Sequence, residues 1–98
     1  MKEEIIIELD NKWKVLFKKG ERDCNGDIFN IDFILSCLNG DKWEEAGHGE
    51  VRNGSCCHLY LKEGYYTGYT YFHGCGRKDL DIFGKIYDIA QELMEEWQ

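Results

Sequence analysis

Two Asn-Gly pairs constrain the fold of this chain more than any other feature of its sequence. They stand at positions 39–40 and 53–54, and each is flanked by segments in which apolar and polar residues alternate. Asn-Gly is the strongest short signal for a two-residue β-hairpin turn, because both residues readily adopt a positive φ angle. Two further short links, at 10–11 and 63–64, follow the same pattern. Four short links between successive strands predict an antiparallel meander.

The first two strands are predicted from composition and alternation. Residues 3–9 are a run rich in β-branched side chains, and Trp13, Val15 and Phe17 alternate with lysines and a leucine over residues 12–18. Apolar residues at every second position are typical of a strand with one buried face. The link at 10–11 then predicts that these two strands form a hairpin.

The segment from 28 to 38 fits two patterns. Read as a strand, it places alternate residues from Phe29 to Cys37 on one face; read as a helix, it has an apolar stripe behind Asp27 as the N-cap. We favour the strand, because β-branched and aromatic residues dominate the segment and an Asn-Gly pair follows it. The helix is kept as the alternative.

The end of the chain has a different period. Behind Asp79, a suitable N-cap, apolar residues recur at helical spacing, which predicts an amphipathic helix. The expected apolar side comprises Ile82, Phe83, Ile86, Ile89, Ala90, Leu93, Met94 and Trp97. The predicted fold class is therefore α+β: an antiparallel, twisted β-meander of five to six strands packed on one long C-terminal helix, in a single domain over residues 1–98.

The turns also predict which side chains share a face, because a two-residue turn fixes the register of its strands. A turn at 39–40 pairs Leu35 with Glu44, and a turn at 53–54 pairs His48 with Leu59. The expected core face, covered by the helix, holds Phe29, Ile31, Phe33, Leu35, Ala46, Cys57, Leu59, Leu61, Tyr66 and Phe72. The expected opposite face holds Asp32, Ile34, Trp43, Glu45, Cys56, His58, Tyr60, Tyr69, Tyr71 and His73.

The charge balance limits the class of partner. With 19 acidic against 12 basic residues, the formal net charge is −7, and contacts to phosphates need clustered Lys and Arg. We therefore expect no direct binding of nucleic acid. An acidic surface serves solubility or steers the protein onto a basic partner. No apolar run is long enough to span a bilayer and the first residues lack a signal peptide, so we expect a cytoplasmic protein with reduced thiols.

Residues 53–76 hold three of the five cysteines and two of the three histidines. Cys56, His73 and Cys75 are candidate zinc ligands on one face, yet their spacing matches no common zinc motif. Cys57 with His48 and Glu50 is a candidate nucleophile–base arrangement on the core face, but no oxyanion hole is evident. We expect neither site, no cofactor and no enzymatic activity, and we interpret these side chains as ordinary members of a strand pair.

Three functions from different classes remain. The first is a small acidic inhibitor, of immunity or anti-defence type, that docks on a basic protein such as a nuclease or a nucleic-acid-handling effector. The second is a zinc module using the cysteines and histidines of residues 56–75, and the third is a small-molecule-binding or enzymatic domain with a pocket between sheet and helix. Homodimerisation through the aromatic face is also left open. For the first, favoured function the expected partner-binding residues are Asp32, Trp43, Glu45, Tyr60, Tyr69 and Tyr71.

Overall fold

The computed structural model of the chain describes residues 4–53, 57–61, 64–68 and 82–97, with the backbone alone for 64–68 and 83. In these segments one open antiparallel sheet packs against a C-terminal helix, so the predicted α+β fold is confirmed. The elements are β1 (Glu4–Glu8), β2 (Trp13–Lys19), β3 (Asn30–Asn39), β4 (Lys42–Arg52), β5 (Cys57–Leu61), β6 (Gly64–Gly68) and α1 (Ile82–Trp97). The strands lie side by side in chain order, as a meander requires.

The core lies between the sheet and α1. From the sheet it takes alternate residues of β2 to β5, and Phe17 and Phe33 pack with ring centroids 6.4 Å apart. The segment from 28 to 38 therefore contributes a strand, β3, and the helical alternative is wrong. The expected core residues Ile31, Phe33, Leu35, Cys57 and Leu59 are all buried.

Helix α1 presents its predicted apolar side to the sheet. Ile86, Ala90 and Met94 are almost fully buried, and Tyr87, which the helical pattern did not include, joins them. The Gln91 amide donates a hydrogen bond to the carbonyl of Arg52, at 3.2 Å, and so ties the helix to the end of β4. No helix in the segments that the structure describes is both long and apolar enough to cross a membrane.

The β3–β4 turn lies one residue later than predicted. Asn39 pairs with Lys42, so the two central residues are Gly40 and Asp41, and Gly40 has a φ of 68°. A glycine at the first central position is typical of a type II′ turn. Further along, the register shifts between Leu35 and Ser36, where β4 carries an extra residue. The predicted pairing of Leu35 with Glu44 is therefore wrong.

The β4–β5 register differs from the prediction by one residue, and this difference changes which face His48 occupies. Val51 pairs with Cys57, and His48 pairs with Tyr60 rather than with Leu59. The pairing is therefore not centred on a two-residue turn at 53–54. Asn53 also contacts the segment before β3, because its backbone N–H donates to the carbonyl of Phe29 at 3.0 Å.

This shift overturns the nucleophile–base arrangement on the core face. A slip of one residue moves every side chain of a strand to the other side of the sheet. Cys57 points into the core, whereas His48 and Glu50 pair with Tyr60 and His58 on the opposite face. The three side chains therefore do not meet.

The hairpin of β2 and β3 extends beyond the sheet and corrects one core assignment. Phe29, expected in the core, is 45% exposed, and its neighbour Ile28 is buried instead. The extension bends towards the end of α1, where Arg22 donates to the carbonyl of Trp97 at 3.5 Å. This bend breaks the alternation on which the assignment of Phe29 depended.

Candidate functional site

The sheet face turned away from α1, here called the outer face, carries side chains in rows that run across the strands. In the described segments α1 packs on the other face alone, against β2, β3 and β4. The central row consists of residues that pair directly from one strand to the next: Ile6, Leu16, Ile34, His48 and Tyr60. Directly paired side chains lie roughly 4.5–5.5 Å apart at their Cβ atoms, so this row is a continuous strip.

The central row is apolar at one end and aromatic at the other. Ile6 is 60% exposed and Tyr60 is 49% exposed, while Leu16 and Ile34 between them are half-buried. The rings of His48 and Tyr60 stack with centroids 5.5 Å apart and an interplanar angle of 22°. Large apolar and aromatic groups held at the surface in this way are typical of contact surfaces.

Charged side chains flank the central row on both sides. One flanking row, here called the charged row, consists of Glu4, Lys18, Asp32, Glu50 and His58. The row on the other side holds Glu8, Lys14, Ser36 and Glu45. The carboxylates of these two rows outnumber their lysines by five to two.

Two carboxylates of the charged row, Asp32 and Glu50, pair directly on neighbouring strands. Like charges in such pairs destabilise a sheet. The side chain that holds them together is Asn30, which is only 8% exposed. Its amide nitrogen donates to Glu50 at 3.0 Å and to Asp32 at 3.4 Å. Its oxygen accepts the backbone N–H of Glu21 at 2.9 Å, so this buried side chain is fully hydrogen-bonded.

The two carboxylates differ in their electrostatic surroundings. Burial, together with the nearby charges of Glu50 and Glu21, raises the pKa of Asp32, and Lys18 only partly offsets this. Burial acts in the same direction on Glu50, but hydrogen bonds from Arg52 and Asn30 outweigh it and lower the pKa of Glu50. The ionised form of Asp32 is therefore less stabilised than that of Glu50.

Arg52 shows how this face holds a guanidinium group. Its Nε donates to Glu50 Oε1 at 2.7 Å, and its guanidinium carbon lies 5.6 Å from the centre of the Phe29 ring. The group is therefore bracketed by a carboxylate and an aromatic ring, the two contacts that arginine favours most.

Asp32, Glu50 and the stacked rings line one cleft of about 400 Å³. Among the described residues, Gly49, Arg52 and His58 complete its lining. Gly49 lets β4 and β5 approach closely here, because a Cβ atom at this position would overlap the carbonyl oxygen of His58.

Four of the six predicted partner-binding residues lie on the outer face. Asp32, Glu45 and Tyr60 are exposed, while Trp43 is half-buried beneath Lys14, whose ammonium group lies 4.3 Å from the centre of the indole ring. Tyr69 and Tyr71 lie outside the described residues. The three candidate zinc ligands do so too: they are Cys56, His73 and Cys75.

Sequence reasoning put two lining residues of this cleft, His48 and Glu50, on the wrong face, and it missed Asn30, which bridges the two carboxylates. The first two had been placed on the core face, because the register was taken from the turn at 53–54. The signal that points to them is the Gly-His-Gly run at 47–49. Glycine is unfavourable inside a strand unless the backbone must approach another group closely, so a histidine between two glycines marks a position with special packing.

The described residues offer little for metal chemistry, and known proteins offer no guide. No group of three or more His, Cys, Asp or Glu side chains within them is arranged to hold a metal ion. The outer face, with its aromatic strip, carboxylates and cleft, is the arrangement best suited to binding. No protein-family model, curated protein or solved structure matches the chain.

Proposed function

We propose that this protein is a small inhibitor, of immunity or anti-defence type, that docks through its outer face on a basic partner protein and blocks that partner's working surface. It acts as a binding protein rather than as an enzyme, and the encounter takes place in the cytoplasm. The observation that supports this proposal is the central row, a strip of exposed apolar and aromatic side chains between two rows rich in carboxylate.

The central row supplies the attractive area. Energetic hot spots in interfaces are enriched in tyrosine and other aromatic residues surrounded by groups that exclude water. Tyr60 fits that role, because it is half exposed and its ring is held by the stack with His48. A ring fixed before binding loses less conformational entropy when a partner covers it.

The charges favour a basic partner over a neutral or acidic one. Carboxylates predominate in the rows beside the strip, and the whole chain carries a formal charge of −7. Complementary charge accelerates encounter and penalises wrong partners of like charge. A basic protein whose own work is to bind nucleic acid presents such a surface, and an acidic domain seated on it would exclude the natural ligand.

The proposal is tested by affinity capture from the source cell, followed by an activity assay of the captured protein. We compare wild type with Tyr60→Ala and with a matched pair of charge reversals, Glu45→Lys on the outer face and Glu92→Lys on the exposed side of α1. We expect a basic protein that is captured in equimolar amount and loses its activity when saturated. Tyr60→Ala should weaken binding by about 2 kcal/mol, roughly thirtyfold.

The charge pair separates a specific face from general acidity. Glu45→Lys should slow association and reduce its salt dependence, whereas Glu92→Lys should leave binding within about twofold of wild type. Equal losses for both reversals would show that the outer face is not the contact surface. An acidic captured protein, or one that keeps full activity when saturated, would refute the inhibitor proposal itself.

A further inference from the structure

We propose that the cleft on the outer face receives the guanidinium group of an arginine side chain of the partner, with Asp32 as its carboxylate acceptor and the rings of His48 and Tyr60 as its stacking surface. This inference deepens the proposed function and rests on it for the source of the arginine. The chemistry itself depends on the lining of the cleft alone.

The carboxylate side of the cleft is suited to a cation. Asp32 and Glu50 stand directly opposite each other, and among the described residues Arg52 forms an ion pair within 4 Å with Glu50 but not with Asp32. An arriving cation beside Asp32 would relieve the repulsion between the two carboxylates. The carboxylates keep their spacing through the buried amide of Asn30.

The aromatic side of the cleft favours a flat cation. The rings of His48 and Tyr60 stack on each other within 22° of parallel, so a flat cation can extend this stack on an outer face of the pair. Asp32 and His48 occupy diagonal positions on adjacent strands, which for such pairs means a separation of roughly 7–8 Å. A guanidinium plane that extends the stack beside His48 can therefore direct its N–H groups towards the carboxylate of Asp32.

The chain's own Arg52 provides an internal precedent at the edge of the same cleft. Its guanidinium takes one carboxylate, from Glu50, and one aromatic ring, from Phe29. Asp32 with the ring pair repeats that combination on the other side of Glu50. The cleft volume of about 400 Å³ accommodates an arginine side chain as a small part of a larger contact.

Arginine is preferred over lysine on geometric grounds. A guanidinium group is planar, presents N–H groups in a fixed fork and stacks on aromatic faces, whereas an ammonium group is compact and strongly hydrated. A site that combines a carboxylate with an aromatic ring stack uses both properties of arginine. We therefore expect the cleft to discriminate between the two basic side chains.

The test is a titration of the whole protein with short probe peptides at low ionic strength, in which ¹H–¹⁵N NMR spectra report the binding. The probes are acetyl-Gly-Arg-Gly-amide, its lysine counterpart and its citrulline counterpart, which keeps the planar shape of arginine without the charge. We expect the arginine peptide to shift the amides of β3, β4 and β5 around the cleft, with a dissociation constant of about 1 mM. The citrulline peptide should bind at least about tenfold more weakly, and the lysine peptide should lie between them.

Three variants assign the contacts. Asp32→Asn and Tyr60→Ala should each weaken the arginine peptide by about tenfold, the first through the lost charge-assisted hydrogen bond and the second through the lost stacking surface. Glu92→Gln, which removes one exposed carboxylate from α1, is the matched control and should leave binding unchanged. The spectrum of each variant without peptide verifies that its sheet is intact.

Equal binding of the citrulline or lysine peptide, shifts away from the cleft, or an Asp32→Asn variant that binds as wild type does would each overturn the inference. These failures are distinct from a failure of the proposed function. If the partner is captured through the outer face but the arginine peptide ignores the cleft, docking stands and the arginine contact falls. If the arginine peptide binds at the cleft but no basic partner is captured, the cleft is a guanidinium site and the inhibitor proposal falls.

Discussion

Asn30→Asp is the substitution that most directly tests the architecture of the charged row. The change preserves the shape of the side chain and the oxygen that accepts the Glu21 N–H. It replaces the amide nitrogen, which donates to Glu50 at 3.0 Å and to Asp32 at 3.4 Å, by an oxygen atom that cannot donate when ionised. A third carboxylate then stands beside the other two. Asn30 is only 8% exposed, so water can replace few of the lost hydrogen bonds.

The expected loss can be worked from these contacts. A hydrogen bond to a charged group contributes about 1.5–3 kcal/mol. The introduced carboxyl must also stay ionised beside two others, which costs about 1.4 kcal/mol for each unit by which its pKa exceeds its ordinary value. We expect the free energy of unfolding to fall by about 3 kcal/mol at pH 7, which for a chain of this size lowers Tm by roughly 10–20 °C.

The loss of unfolding free energy in Asn30→Asp should depend on pH, in the direction set by the pKa of the introduced carboxyl. The introduced carboxyl has a pKa raised in the folded state, so the folded state binds more protons than the unfolded state between the two pKa values. Its penalty is therefore complete at neutral pH, shrinks as the pH falls through the raised pKa, and is lost below the pKa of the unfolded chain. The difference between variant and wild type should narrow accordingly between pH 7 and about pH 4.

The assay is urea unfolding followed by circular dichroism, with Asn39→Asp as the matched control. Asn39 also donates to a carboxylate, that of Glu44 at 3.3 Å, but on the exposed surface, where such contacts contribute at most about 1 kcal/mol. We expect the control to change stability by less than about 0.5 kcal/mol. Similar losses for the two variants, or a loss at position 30 that does not shrink at low pH, would refute the bridging role of Asn30.

Two further substitutions test the outer face and the close approach of its strands. Asp32→Asn should raise the free energy of unfolding by about 0.5 kcal/mol at pH 7, because it removes a like-charge pair from a partly solvated site. Since the folded-state pKa of Asp32 is raised, this gain should disappear below about pH 3.8, and a loss of stability at pH 7 would contradict it. Gly49→Ala should destabilise by about 1–3 kcal/mol, because the new Cβ atom overlaps backbone of β5, while Gly84→Ala in α1, with nothing within 4 Å, should gain up to about 1 kcal/mol. Equal effects of the two alanines in urea unfolding would show that the strands adjust around Gly49.

Local patterns were sufficient to predict the elements and the order of the strands. Alternation identified β2 and β3, and helical spacing identified α1, because each pattern reflects one buried face of a single element. Strand order followed from the short links, which allow little besides antiparallel neighbours. The identity of most core residues then followed, since parity along a strand decides which side chains point inwards.

Register was harder to predict, and the composition of the cleft depended on it. The turn at 40–41 and the extra residue in β4 move the pairing of β3 with β4, and the pairing of β4 with β5 lies one position from the predicted one. A two-residue turn at 63–64 predicts that Tyr60 pairs with Thr67, whereas Tyr60 pairs with Tyr65. This shift of two residues preserves the faces. A shift of one residue reverses them, which is why His48 was assigned to the wrong side.

Non-local contacts account for the rest. Nothing near Asn30 in the sequence indicates that it bridges two carboxylates, because one of them lies twenty residues away on the next strand. The exposure of Phe29 likewise depends on how the hairpin extension bends against the end of α1. Such contacts are decided by the assembled sheet and not by the segment that contains them.

The chain-order arrangement of the strands bears on how the protein reaches its native state. Each strand pairs with its immediate neighbours in sequence, so the sheet can grow by adding one hairpin at a time, and the longest link between strands, residues 20–29, has ten residues. Proteins dominated by such near-neighbour contacts fold faster than those whose strands pair across long stretches of chain. The packing of α1 is the long-range contact that remains. It covers the apolar face of the sheet and so completes the fold.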